Sequence, residues 1–161
     1  MKRLLLIFYA VWALMPAVAR QKKSAAKRVQ RIELSSTQQH RLDYFMHEAS
    51  RQMVLRNANA AYALYDYCLG IDPTCPEALY QMSVLERVLG RDSLAMVHLE
   101  QAVRIDDTNV WYKEMLVSRY MDANKYEKAI PVLEDVARLR PKDVQVLQLI
   151  EDYYSRTGQY K

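Results

Sequence analysis

Apolar and polar positions recur along this chain with a period of 34 residues. When segments that begin at Leu42, Pro76, Val110 and Val144 are aligned, alanines and large apolar side chains fall at the same places in successive segments. One column holds Ala61, Ala95 and Ala129, and another holds Tyr65, Leu99 and Leu133. This period is typical of stacked helical hairpins. The pattern therefore predicts pairs of amphipathic helices, each pair packed on the next.

The turns between the predicted helices share a column as well. Gly90, Asn124 and Gly158 stand where the chain must reverse, and glycine and asparagine adopt positive φ at the least cost. Arg56 interrupts this column, with Asn57 beside it. The chain has only three glycines and five prolines, and few segments alternate in the manner of a strand. We therefore predict an all-α fold, a right-handed α-solenoid of helix-turn-helix repeats.

The repeat domain is predicted to cover residues 35–161. Its units lie near 42–75, 76–109 and 110–143, with a partial unit at 144–161. The first helix is predicted to begin at Ser36, because Ser36 and Gln39 stand at the spacing of a capping box.

The partial unit at the end of the chain carries two apolar stripes. Val144, Leu147, Ile150 and Tyr154 form the stripe expected to face the core. Val146, Leu149 and Tyr153 are then expected to form an apolar strip that no second helix covers. We therefore predict that the array continues beyond Lys161 and that this chain is the front of a longer protein. Two alternatives are that the last helix caps the array or that two copies pair through the strip.

The aligned columns resemble the tetratricopeptide repeat family. Its pattern has a small residue at the eighth position of each unit, alanine at the twentieth and proline at the thirty-second. The matches are Ala49 and Ser83 at the eighth position, the three aligned alanines at the twentieth, and Pro73 and Pro141 at the thirty-second. Val117 replaces the small residue in the third unit, and Asp107 replaces the proline in the second. The resemblance covers residues 42–161 and implies a non-enzymatic scaffold that binds a protein or peptide.

In proteins of this family the first helix of each unit lines a concave groove. The matching positions here carry mostly apolar and aromatic side chains with a few acids, and tryptophan and tyrosine often anchor interfaces. The candidate protein-binding residues implied by the resemblance are Met46, Ser50, Met53, Tyr80, Val84, Arg87, Trp111, Glu114 and Ser118. Family members that clamp a terminal carboxylate need lysine and asparagine where this chain has Met46 and Ser50, so that mode of binding is not expected.

Residues 1–19 have the pattern of a signal peptide. Lys2 and Arg3 precede an apolar run, and Ala17-Val18-Ala19 fits the small-residue cleavage pattern. We predict cleavage after Ala19 and export to the bacterial periplasm. Residues 20–34 are predicted to be a basic linker. Basic residues directly after an apolar run resist translocation, so the alternative is an uncleaved membrane anchor with the repeats in the cytoplasm. That alternative describes a membrane-tethered structural or self-associating domain.

Net charge argues against a nucleic-acid partner. The chain carries +4 overall, but eight of its 23 basic residues lie in the first 31 positions. The remaining 15 basic residues are outnumbered by 19 acidic ones, so the predicted repeat domain is mildly acidic. The basic linker could contact anionic lipid.

Residues that would indicate catalysis, a cofactor or a metal are sparse. Cys68 and Cys75 could form a disulfide, but a buried free thiol at Cys68 is favoured because Cys68 occupies a core column. His40 and His47 are two helical turns apart, too far to share one metal ion. His98 has no carboxylate or cysteine at ligand spacing. We therefore predict neither an enzyme, nor a cofactor, nor a metal site.

Overall fold

The computed structural model describes residues 31–157, and side chains are described for residues 31–155. The predicted signal peptide, the linker up to residue 30 and Gly158 lie outside this range. Within it the chain forms seven helices and no strand. The helices are α1 Ser36–Val54, α2 Ala58–Ile71, α3 Pro76–Val88, α4 Asp92–Ile105, α5 Val110–Asp122, α6 Tyr126–Leu139 and α7 Val144–Thr157. Each helix packs against the next along the chain, so the predicted helix-turn-helix solenoid is confirmed.

Helix α1 begins at Ser36, as predicted, but the capping box lies one residue earlier than expected. Ser35 is the N-cap, and its Oγ accepts a hydrogen bond from the Gln38 amide at 3.3 Å. The Ser35 amide donates in return to Gln38 Oε1 at 3.0 Å. The pair Ser35 and Gln38 therefore replaces the predicted pair Ser36 and Gln39, because Ser36 already has helical geometry and cannot act as the cap.

The turn inside each helical hairpin has the same backbone geometry in all three units. Arg56, Gly90 and Asn124 have φ angles of 58°, 73° and 55°. The amide that follows each of them donates to the carbonyl oxygen five residues earlier, at 2.9, 2.7 and 2.8 Å. This bond is the signature of a Schellman motif. Arg56 was expected to interrupt this column but adopts the same positive φ as Gly90 and Asn124. The hydrogen bonds at the helix end fix this backbone conformation even without glycine.

The aligned columns form the core. The alanine column and the column of Tyr65, Leu99 and Leu133 are buried throughout, as predicted. A third column of Cys68, Ala102 and Val136 is completely buried, and small side chains there let the helices approach closely. Both Cys68 and Cys75 are free thiols, and burial raises the pKa of Cys68 to about 12. Cys68 is therefore the inert buried thiol that the sequence favoured.

Helix α7 meets the core through only part of the predicted stripe, in which Ile150 packs against the core cluster as expected. Val146 and Tyr153 are buried, and Val146 joins a cluster with Val117, Leu133 and Val136. Val144 and Leu147, which were expected to face inward, are exposed. The predicted uncovered strip was therefore wrong for Val146 and Tyr153, and only Leu149 of that strip is exposed. Both stripes are apolar, so the contact with α5 and α6 decides between them.

None of the helices in residues 31–157 has the length and apolar content needed to cross a membrane.

Candidate protein-binding face

The first helices of the units, α1, α3 and α5, carry an aromatic cluster where α3 meets α5. The rings of Tyr80 and Tyr112 are stacked, with centroids 5.0 Å apart and planes 24° from parallel. Trp111 Nε1 donates a hydrogen bond to Tyr80 Oη at 3.1 Å. The Trp111 side chain nevertheless remains 58% exposed. An exposed indole held in one orientation by the neighbouring unit has the properties of an interface anchor.

Met46 and Ser50 lie in a cavity of about 450 Å³ between α1, α3 and the loops that follow α2 and α4. We call this cavity the N-terminal groove. Its walls include Leu42, Asp43, Met46, Ser50, Asp72, Pro76, Glu77, Asp106 and Tyr112. Ser50 Oγ donates to the Met46 carbonyl at 2.9 Å and lies 3.2 Å from Tyr65 Oη. The Ser50 hydroxyl is therefore engaged within the fold, whereas the Met46 side chain contributes apolar wall.

Tyr112 connects the N-terminal groove to the aromatic cluster. It is a wall residue of the groove and it stacks on Tyr80. Burial, followed by the nearby charges of Glu77 and Asp106, raises the pKa of Tyr112 to about 12. The phenol therefore stays neutral at physiological pH and beside those carboxylates can act as a hydrogen-bond donor.

Arg87 lies in a second cavity, of about 320 Å³, at the junction of α3, α4 and α5. Its Nη1 is 3.9 Å from Asp122 Oδ2, and Arg119 Nη1 approaches the same oxygen at 3.2 Å. Two cations thus share one carboxylate. Arg87 is therefore part of an exposed ion-pair network between the second and third units, and such pairs contribute little stability.

Glu114 and Ser118 lie in a third cavity, of about 540 Å³, between α5, α6 and α7. Val117, Leu133 and Val136 are among its apolar walls. Glu114 Oε1 accepts a hydrogen bond from Arg140 Nη1 at 2.8 Å. This cavity combines an apolar floor with a rim of paired charges.

The structure thus distributes the nine predicted binding residues instead of gathering them into one pocket. Tyr80 and Trp111 touch each other, and two further pairs share the cavities described above. Met53 packs against the core cluster of the first unit. Val84 is half-buried and lines none of the three cavities.

Sequence reasoning missed two groups of residues near this face. The walls of the N-terminal groove include Asp72 and Asp106, whose 34-residue spacing was the available signal. The other omission is the partner of His98, whose Nδ1 lies 2.8 Å from Glu86 Oε2. The search for a carboxylate at ligand spacing could not find this partner, because the 12-residue separation brings the two together only when α3 and α4 pack. In the described part of the chain, no three His, Cys, Asp or Glu side chains are grouped to hold a metal ion.

No protein-family model matches this sequence, and no curated protein matches it. Solved structures do resemble it. MamA is 19% identical with a TM-score of 0.63, and the match covers 73% of this chain and 69% of MamA. The first TPR of Spaghetti (RPAP3), solved with an HSP90 peptide, is 14% identical with a TM-score of 0.63, covering 79% of this chain and 98% of that one.

A third similar structure is a mutant of the Thermobaculum terrenum O-GlcNAc transferase. It is 20% identical with a TM-score of 0.62, and the match covers 80% of this chain but only 25% of the transferase. At these identities the likeness shows the fold. The described residues therefore have the fold of the tetratricopeptide-repeat structure that was solved with a peptide bound.

Proposed function

We propose that this chain is a non-enzymatic scaffold that holds a protein or peptide on the face formed by α1, α3 and α5. The observation that carries the proposal is the aromatic cluster, in which Tyr80 fixes the orientation of an exposed Trp111. Tryptophan and tyrosine are the residue types enriched among interface anchors, and here the two are joined by a hydrogen bond. The Spaghetti structure supports the proposal, since that protein with the same fold was solved with a peptide bound.

We also propose that the scaffold is exported to the bacterial cell envelope. The support comes from the sequence of residues 1–19 and the expected cleavage after Ala19. Mass spectrometry of the protein purified from cells tests this proposal directly. A mature N-terminus at Arg20 supports export. An intact Met1 in a membrane fraction contradicts it and favours the tethered alternative.

Affinity capture from envelope extract tests the binding role. Trp111→Ala is expected to reduce the amount of the specific partner captured by about tenfold or more, as is typical for truncation of a tryptophan anchor. Leu94→Ala is the matched control, because Leu94 is an exposed apolar residue on the second helix α4. Circular dichroism should show both variants folded. Equal capture by Trp111→Ala, Leu94→Ala and the unmodified chain would show that the aromatic cluster takes no part in binding.

A further inference from the structure

Acidic residues occupy equivalent positions in the first two units but not in the third. Asp43 and Glu77 stand at the second position of their units, where the third unit has Trp111. Asp72 and Asp106 also stand 34 residues apart, and the next residue in that series is Arg140. All four carboxylates are wall residues of the N-terminal groove. The groove therefore gathers negative charge at one end of the face and ends at the aromatic cluster.

Within the part of the chain that the structure describes, these four carboxylates form no ion pair. Among residues 31–155 none of them lies within 4.0 Å of a lysine, arginine or histidine nitrogen. By contrast, Glu114, Asp122 and Asp135 all form such pairs. Among the described wall residues, Arg31 is the one arginine or lysine, and His47 is the one histidine. The groove thus keeps a negative potential that a positively charged ligand would neutralise.

Asp72 shows that part of this charge is held in a buried position. The residue is only 8% exposed, and its Oδ1 accepts hydrogen bonds from the Thr74 amide at 2.8 Å and from Thr74 Oγ1 at 2.7 Å. Its Oδ2 has no hydrogen-bond partner among the described residues. This oxygen is accessible from the groove, so an entering N–H donor would exchange a water molecule for a charge-assisted hydrogen bond.

The other wall residues offer apolar surface that suits the methylene stem of a lysine or arginine side chain. Leu42, Met46, Pro76 and Tyr112 place apolar surface beside the carboxylates. Lysine and arginine bury their methylene stems on such surface while the charged end reaches an acid. A metal ion fits less well, because no group of three potential ligands is assembled within residues 31–155.

We infer that the N-terminal groove binds a basic segment of a partner protein, with lysine or arginine on the groove carboxylates and an apolar residue on Trp111. This inference rests on the proposed scaffold function and adds the chemistry of the partner. It predicts a preference opposite in sign to that of a receptor for acidic peptides, since the groove carboxylates repel a carboxylate-rich ligand.

Fluorescence anisotropy with the full chain tests the inference. The probes are a labelled peptide rich in lysine and leucine and its counterpart with every lysine replaced by glutamate. We expect the lysine peptide to bind more tightly, and added salt to weaken its binding by screening. Asp43→Asn combined with Glu77→Gln should weaken binding of the lysine peptide by about tenfold. Both residues are exposed, so this variant should fold normally.

A matched control removes the same charges elsewhere. Asp66→Asn combined with Glu127→Gln neutralises exposed acids on the second helices α2 and α6. The inference is supported if only the groove variant loses affinity. It is overturned if the groove variant loses no affinity or only as much as the control variant. It is also overturned if neither peptide binds the unmodified chain, or if both peptides bind it equally. Equal binding that Trp111→Ala weakens for both peptides would overturn the charge preference and leave the proposed scaffold function standing.

Discussion

The first junction of the array is built differently from the later two. Tyr120 Oη donates to Glu100 Oε1 at 2.6 Å and joins α5 to α4. The same bond recurs 34 residues later, where Tyr154 Oη donates to Glu134 Oε1 at 2.9 Å and joins α7 to α6. The corresponding residues where α3 meets α2 are Glu86 and Asp66. Two acids cannot form this bond when both are ionised, so the first junction lacks the polar link that the others share.

The first junction has extensive apolar packing without that link. The cluster that joins α1, α2 and α3 contains eight buried residues, the two clusters at the second junction contain seven between them, and the cluster at the third contains four. Glu86 instead contacts His98 of its own unit through Oε2. Its Oε1 is buried and has no hydrogen-bond partner among the described residues. The comparison shows that stacking of these units depends on the apolar columns, while the polar contact beside them can change.

Truncation of the first cluster should have the largest effect on stability. Leu85 is buried in that cluster, and Leu85→Ala is expected to lower the free energy of unfolding by about 3 to 4 kcal/mol through lost packing and a cavity. Urea denaturation measures the loss, with Leu94→Ala as the exposed control. Leu116→Ala probes the cluster of α4, α5 and α6 at the second junction, where a loss of similar size is expected. A loss well below about 2 kcal/mol for Leu85→Ala, at about the level of Leu94→Ala, would contradict the importance of the first cluster.

Removal of the His98 imidazole should have the next largest effect. His98→Ala leaves the fully buried Glu86 carboxyl without its partner, and we expect a loss of about 3 kcal/mol in unfolding free energy. His47→Ala is the control, because His47 is exposed. Replacing both Glu86 and His98 by leucine should restore most of the stability, since no buried polar group then lacks a partner. Unchanged stability of His98→Ala would show that water or a protonated carboxyl already satisfies Glu86.

Loss of the Tyr120 hydroxyl should have the smallest effect. Tyr120→Phe removes one hydrogen bond to Glu100 and is expected to cost about 1 kcal/mol. A double-mutant cycle with Glu100→Gln measures the coupling between the two side chains. A coupling energy near zero would show that the Tyr–Glu bond adds no stability, so that its absence from the first junction makes no difference.

Alkaline pH gives a second measurement of the same bond. Burial, and then the hydrogen bond to Glu100, raises the pKa of Tyr120 above its usual value of 10.0. Because the folded pKa exceeds the unfolded one, this stabilisation is complete below about pH 10 and is lost as the pH rises further. Tyr120→Phe should therefore lose less stability than the unmodified chain above that pH.

The repeat period was sufficient to predict the helical architecture. The columns of Ala61, Tyr65 and Cys68 recur in each unit, and periodic burial is a local property that a sequence displays directly. The face that α7 presents to the core was predicted only in part, since Ile150 packs there as expected but Val146 is buried in place of Val144. The two valines are equally apolar, and only packing on α5 and α6 distinguishes them. Arg56 was also misjudged, since its positive φ is imposed by the helix end and not by its side chain.

The candidate site was predictable only in part. Trp111 was predicted as a binding residue from its position in the repeat, and the structure shows it exposed beside Tyr80. The pairing of Glu86 with His98 depends on how α3 and α4 cross, which the period does not specify. The charge of the N-terminal groove depends on which acids find cations across the fold. The Glu86–His98 pairing and the charge of the groove both depend on contacts between distant residues, which the sequence alone does not give.

The packing of each helix against its neighbour along the chain has a mechanical consequence. Interactions that connect near neighbours in sequence do not tie one end of the array to the other. A pulling force applied at the two ends would therefore open the hairpins one after another instead of breaking the whole body at once. The array should behave as an extensible spring whose later junctions carry a Tyr–Glu hydrogen bond that the first junction lacks.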